Sequence, residues 1–235
     1  MRQLLVLFSI TLFAQQFEVD TVKLSPPQPM GHTSISLSSG HGRVTMTNVT
    51  LKRAVMSAYV VGPNQVFGGP SWFDSINFDI AAKAAIPTDD DALLMRMLQA
   101  LLADRFKLVV HHETRVIQAY ALEVLKQGPK LEKSEAGEDS INVSRSAMDA
   151  THITLDRFVE ALSRELDHPV VNHTGLTGTF NLKLQWEPER ADGAGGTDRP
   201  SIFTAVQEQL GLRLHAEKAP VDTIVIDHAE QPTDN

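Results

Sequence analysis

Thr50-Leu51-Lys52-Arg53 returns as Thr154-Leu155-Asp156-Arg157, 104 residues later. A one-sided helical pattern follows in both places. In the first, Leu51, Ala54, Val55, Ala58 and Tyr59 recur at helical spacing. In the second, Leu155, Phe158, Val159, Leu162 and Leu166 do the same. Such stripes must cover a sheet or another helix. Thr50 and Thr154 are suited to cap these helices, because a threonine hydroxyl accepts one of the orphan amides of the first turn. A repeat of this length fixes the plan of the chain before any single element is assigned.

The parallel continues beyond the helices. Gln65-Val66-Phe67 and Pro169-Val170-Val171 are short strand candidates, each followed by a turn: Gly68-Gly69-Pro70-Ser71 in one, His173-Thr174-Gly175-Leu176-Thr177-Gly178 in the other. Ile76, Phe78, Ile80 and Ala82 then alternate, as do Phe180, Leu182, Leu184 and Trp186, which is the period of a half-buried strand. Second helices follow: Leu94, Met97, Leu98, Leu101 and Leu102 behind Asp89-Asp90-Asp91, and Ile202, Ala205, Val206 and Leu210 behind Pro200-Ser201. Each half closes with two strand candidates, Phe106–His112 and Val116–Lys126 in the first, Leu212–Glu217 and Val221–His228 in the second. The fold class expected is α+β, with two internally duplicated β-α-β-β-α-β-β units packed side by side. The first unit takes residues 42–126 and the second 149–235. Residues 15–41 form an N-terminal strand and a loop rich in Pro, Ser and Gly, residues 127–148 a linker, and residues 187–200 a surface excursion.

Ahead of all this, Arg2 precedes an apolar run from Leu4 to Ala14. A positive residue, a short apolar stretch and a final small residue describe a secretory signal peptide over 1–14, too short to span a bilayer. Cleavage there would take the formal charge from −8 to −9 by removing Arg2. The expected location is secreted or periplasmic, with no stable membrane insertion after cleavage. An acidic balance of 21 basic against 29 acidic residues argues against nucleic acid as a partner. The absence of cysteine removes disulfides, thiol catalysis and thiolate metal sites together.

Other chemistry is sparse. Among nine histidines there is no His-Glu-x-x-His. His111 and His112 are neighbours on a strand and point to opposite faces. His168 and His173 flank a strand, and His215 and His228 fall in a hairpin that does not set them opposite each other, so a half-buried or surface imidazole is the expectation for each. No Gly-x-Ser-x-Gly elbow occurs, and Ser71 beside Pro70 suits a turn cap. Asp89-Asp90-Asp91 lacks the alternating ligand spacing of a calcium loop and suits a helix N-terminus. The Gly193–Gly196 cluster has no Gly-Lys-Ser/Thr to make it a phosphate cradle. Asn48, Asn142 and Asn172 stand in Asn-x-Ser/Thr sequons. No catalytic residue, metal ligand or cofactor is therefore assigned. Trp72, on a glycine-rich turn, is the one residue with a binding character, and the alternative is that it plugs the end of the core.

Phe17-Glu18-Val19-Asp20-Thr21-Val22-Lys23, Gly68-Gly69-Pro70-Ser71-Trp72 with Phe78-Asp79-Ile80, and the run from Met97 to Leu108 resemble a soil-associated secreted protein family described from acidobacterial genomes. So do Val171–Gly178 and the ending from Lys218 through Asp227-His228-Ala229-Glu230. His41 and Asn172 depart from the usual Gly and Asp. The resemblance implies an exported domain of unknown function, carried by some relatives outside a BlaR-like membrane peptidase. It supplies no catalytic residue. Three functions follow as expectations: a non-enzymatic module that binds an unknown small ligand or an envelope protein; a secreted hydrolase with an Asp/Glu/His site invisible to spacing; and an envelope assembly component with open strand edges.

Overall fold

A computed structural model describes residues 17–26, 33–38, 42–88, 90–187 and 199–232. The signal segment expected over 1–14 and the Gly193–Gly196 cluster lie outside them. The described strands are β1 (Phe17–Leu24), β2 (Ser34–Ser38), β3 (Arg43–Thr50), β4 (Val66–Gly68), β5 (Asn77–Ala84), β6 (Val109–Val124), β7 (Glu132–Ser134), β8 (Ser140–Ser144), β9 (Ala147–Ile153), β10 (Val170–Asn172), β11 (Thr179–Gln185) and β12 (Leu212–His228). The helices are α1 (Leu51–Tyr59), α2 (Asp91–Arg105), α3 (Leu155–Glu165) and α4 (Ile202–Leu210). The class is α+β, as the alternation of periods implied.

Two compact units divide the chain. Of the described residues, one holds those up to Tyr59, from Gly68 to Val110 and from Ile226 onward, and the other holds those of Val60–Phe67 and His111–Val225. In the first, four strands run in the order β1-β5-β3-β2. Val44, Met46, Val49, Phe78 and Ile80 on its central strands are buried, together with Leu51, Val55, Leu94, Leu98 and Leu102 from α1 and α2. In the second unit, β7-β11-β9-β8 form a sheet of the same plan. Its core joins Met148, Ala150, Leu182 and Leu184 to Leu155, Phe158, Leu162, Ala205, Val206 and Leu210 of α3 and α4. Trp186 is buried in that core, as its phase on the strand required.

The two plans share a local irregularity. β3 and β5 slip register between Met46 and Val49, and β9 and β11 slip between Phe180 and Leu182. Asn48 and His152, again 104 positions apart, carry φ of 55° at the extra residue of each bulge. Both amides are satisfied by a side chain of the facing strand: Asn48 N–H donates to Asp79 Oδ1 at 2.8 Å, and His152 N–H to Asn181 Oδ1 at 3.0 Å. A bulge leaves one residue outside the ladder, and these carboxylate and amide oxygens replace the missing partner. Thr50 and Thr154 then cap α1 and α3, accepting from Arg53 N–H and Arg157 N–H. Asp90 caps α2 through Leu93 N–H at 2.9 Å and Asp91 stands in its first turn, while Asp89 lies outside the described residues.

Three expectations are corrected. The paired strands closing each half are single long strands, β6 and β12, and His215 and His228 therefore share no hairpin. Each half thus reads β-β-β-α-β-β-α-β and not β-α-β-β-α-β-β. The turn expected near Lys218-Ala219-Pro220 rested on Pro220. A proline is tolerated in a strand where no ladder bond is needed, and the neighbouring β4 spans only three residues. Finally, residues 127–148 carry β7 and β8, and residues 24–41 carry β2. Their Ser-rich composition reads as loop because edge strands need little apolar surface. Among the described residues no helix is long and apolar enough to cross a membrane.

Candidate functional site

The long strands β6 and β12 lie side by side in a sheet ordered β10-β6-β12-β4. Thr223 Oγ1 donates to the Glu113 carbonyl, while Arg213 meets Glu123. These two contacts make the strands antiparallel and set Ala121 opposite His215 and Ala119 opposite Glu217. β10 runs parallel on the other side of β6, with Val171 beside Ala121. Side chains at alternate positions share a face, so Arg213, His215 and Glu217 form one row on β12, next to Ala119, Ala121 and Glu123 on β6.

Polar contacts join this row. Arg213 grips Glu123 Oε2 through Nε at 2.9 Å and Nη2 at 2.6 Å. His215 stands between two carboxylates, with Nδ1 3.7 Å from Glu123 Oε2 and Nε2 3.7 Å from Glu217 Oε2. Glu217 Oε1 in turn lies 3.5 Å from His173 Nδ1, just beyond β10. The Glu217–His173 contact reaches across the middle strand. It can do so because β6 presents alanine there; the polar side chains arch over Ala119 and Ala121, which are buried. Both His215 contacts are too long for direct hydrogen bonds, and His215 Nδ1 is a buried atom without a hydrogen-bond partner. The side chains themselves remain 26–55% exposed. The cluster is thus an open charged face and not an enclosed pocket.

The hydrogen bonds from Arg213 hold the Glu123 carboxyl below its ordinary value; desolvation opposes this, and the charges of Arg213, His215 and His173 add to it. A depressed folded-state value means that the contribution is complete above the ordinary carboxylate range. It is lost as pH falls through the folded value. In acid melts, the midpoint of the native chain should therefore fall more steeply below about pH 4.3 than that of Glu123→Gln, while near neutrality the native chain should be the more stable. Parallel pH profiles of thermal unfolding check this.

The remaining histidines go elsewhere. His112 Nδ1 lies 2.7 Å from Asp222. His168 Nδ1 faces the Asn64 amide at 3.1 Å, beside Asp167 and the Tyr120 ring. So His168 and His173 have different partners. His152 Nδ1 faces Ser134 Oγ at 3.1 Å and Thr179 Oγ1 at 3.3 Å. That pairing has the elements of a hydroxyl and a base. The unusual backbone at His152 is matched at Asn48, however, so the bulge and not a reaction accounts for it. Among the described residues no group of three or more His, Asp or Glu is arranged to hold a metal ion.

Trp72 sits in the turn 71–75, where Phe73 N–H reaches the Pro70 carbonyl and Ser75 N–H the Trp72 carbonyl. Its half-buried ring meets Phe78 edge-on, with centroids 6.2 Å apart, and Phe78 meets Phe106 at 5.0 Å. Sequence reasoning missed the Glu123–Arg213–His215–Glu217 row. The alternation at 213, 215 and 217 was visible, but its cross-strand partners were hidden by the break assigned inside β6.

Neither a curated protein nor a solved structure matches the chain. Residues 52–229 match the family described as "Protein of unknown function (DUF3738)". That match begins in α1 and ends just past β12, spanning the helices, the bulge at His152 and the charged face, and the chain belongs to this family.

Proposed function

We propose that the chain is an exported, non-enzymatic module that binds a small polar ligand or an envelope protein through the charged face of β6 and β12. The observation that carries this is the half-exposed row of Glu123, Arg213, His215 and Glu217, joined to His173 over a floor of alanines. Its groups offer donors and acceptors of both signs along about 14 Å of strand, a chemistry suited to sugars or peptides. Export is supported by the Arg2-led apolar run, and ligand sensing by the resemblance to secreted relatives, some joined to a membrane peptidase.

A carboxyl held anionic beside an arginine is a poor proton donor near neutral pH, which favours recognition over acid catalysis at this face. The hydrolase reading keeps one geometry, the Ser134–His152 pair. A thermal-shift screen of the full chain against muropeptides, oligosaccharides and short peptides tests the proposal. A concentration-dependent rise in melting temperature with one class, lost in Arg213→Ala, is expected. No rise with any class, together with no partner recovered by pull-down, would refute it.

A further inference from the structure

β8 is the outermost strand of its sheet, and nothing among the described residues pairs with its outer side. Edge strands normally carry a lysine, a proline or a bulge that prevents further pairing. β8 is Ser140-Ile141-Asn142-Val143-Ser144 and has none of these. By residue class it reads alike in both directions about Asn142. The two-residue turn Arg145-Ser146 closes on the pair Ser144–Ala147, which is a hydrogen-bonded pair in such hairpins. Hydrogen bonding alternates along the ladder, so Ile141 and Val143 turn their amides and carbonyls outward. Their side chains face the same side as Met148 and Ala150; Ile141 packs on the core rim and Val143 is 36% exposed.

We infer that β8 is a self-association edge, occupied by β8 of a second copy of this chain, antiparallel about a two-fold axis at Asn142. In that register Ile141 faces Val143 of the second copy, twice, and their outward amides and carbonyls supply four backbone hydrogen bonds. The two Asn142 side chains meet on the polar face. The charges agree as well. Asp139, which lies 3.5 Å from Arg157 Nε of its own chain, and Arg145 flank the strand at equal distances from Asn142, so each Asp139 comes opposite Arg145 of the other copy and can bridge both arginines. A parallel arrangement would place like charges together. The joined sheet would run β7-β11-β9-β8 and then the same four strands in reverse.

Sedimentation velocity of the full chain over a concentration series provides the test. A reversible monomer–dimer equilibrium is expected. Val143→Lys should weaken it about tenfold or more, since each dimer contains the change twice. Arg145→Glu, at an exposed turn position, should weaken it without touching the core. Asp139→Lys combined with Arg145→Glu should restore it. Unchanged circular dichroism and melting of Arg145→Glu would show that folding is not the cause. A monomer at every concentration would overturn the inference, as would a dimer indifferent to Val143→Lys, which would place the contact elsewhere, for example at β2.

Discussion

Truncating Phe158 to alanine should destabilise the second unit by about 3–5 kcal/mol. Phe158 is fully buried on α3, in the core with Leu155, Leu162, Leu182, Leu184 and Trp186. Removing its ring takes away the transfer free energy of a large apolar side chain. It also leaves a cavity that rigid strands on one side and a capped helix on the other cannot close. Domain stabilities lie near 5–15 kcal/mol, so the variant should melt far earlier in urea, or fail to fold at physiological temperature. Arg164→Ala, on the exposed side of the same helix, should change stability by about 0.5 kcal/mol or less. Equal losses from both substitutions would mean that the apolar stripe of α3 is not what holds it to the sheet.

Gly211→Ala should be nearly as damaging, at about 2–5 kcal/mol. Gly211 ends α4 with φ of 66°, a left-handed conformation that disfavours any Cβ. An added Cβ would also stand 2.5 Å from the Gly128 carbonyl oxygen and 2.9 Å from Lys130 N. Neither can retreat easily, because the Gly211 carbonyl accepts from Leu125 N–H and the Leu210 carbonyl from Lys130 N–H. The corresponding residue after α2 is Lys107, 104 positions earlier, with φ of 49°. Its side chain is tolerated at an exposed site, at the cost of backbone strain. Lys107→Gly should therefore leave stability unchanged or raise it by up to about 1 kcal/mol. Denaturant titration of both variants compares the same backbone geometry in crowded and open surroundings.

The sequence made the helices, the buried alternation of β5 and β11, and the threonine caps legible because each follows from a local period or a short-range bond. The bulges were legible only in part. The spacing marks Asn48 and His152 as equivalent, yet nothing local shows that Asp79 and Asn181 satisfy their amides from another strand. β2 and β8 escaped notice for a related reason: a serine-rich strand is stabilised by its neighbour and not by its own apolar content. The charged face was the least visible. It depends on β6 continuing through Glu113-Thr114-Arg115, where charges suggest a break, and on Pro220 sitting within β12. Once both strands run unbroken, Glu123 meets Arg213 ninety residues away.

Binding at the β6–β12 face is tested most directly by amide NMR of the labelled full chain, titrated with the muropeptide, oligosaccharide or peptide that raises its melting temperature. Saturable shifts centred on Glu123, His173, Arg213, His215 and Glu217, abolished in Arg213→Ala, are the expected result. Saturable shifts centred on other residues, with these five unmoved, would contradict it.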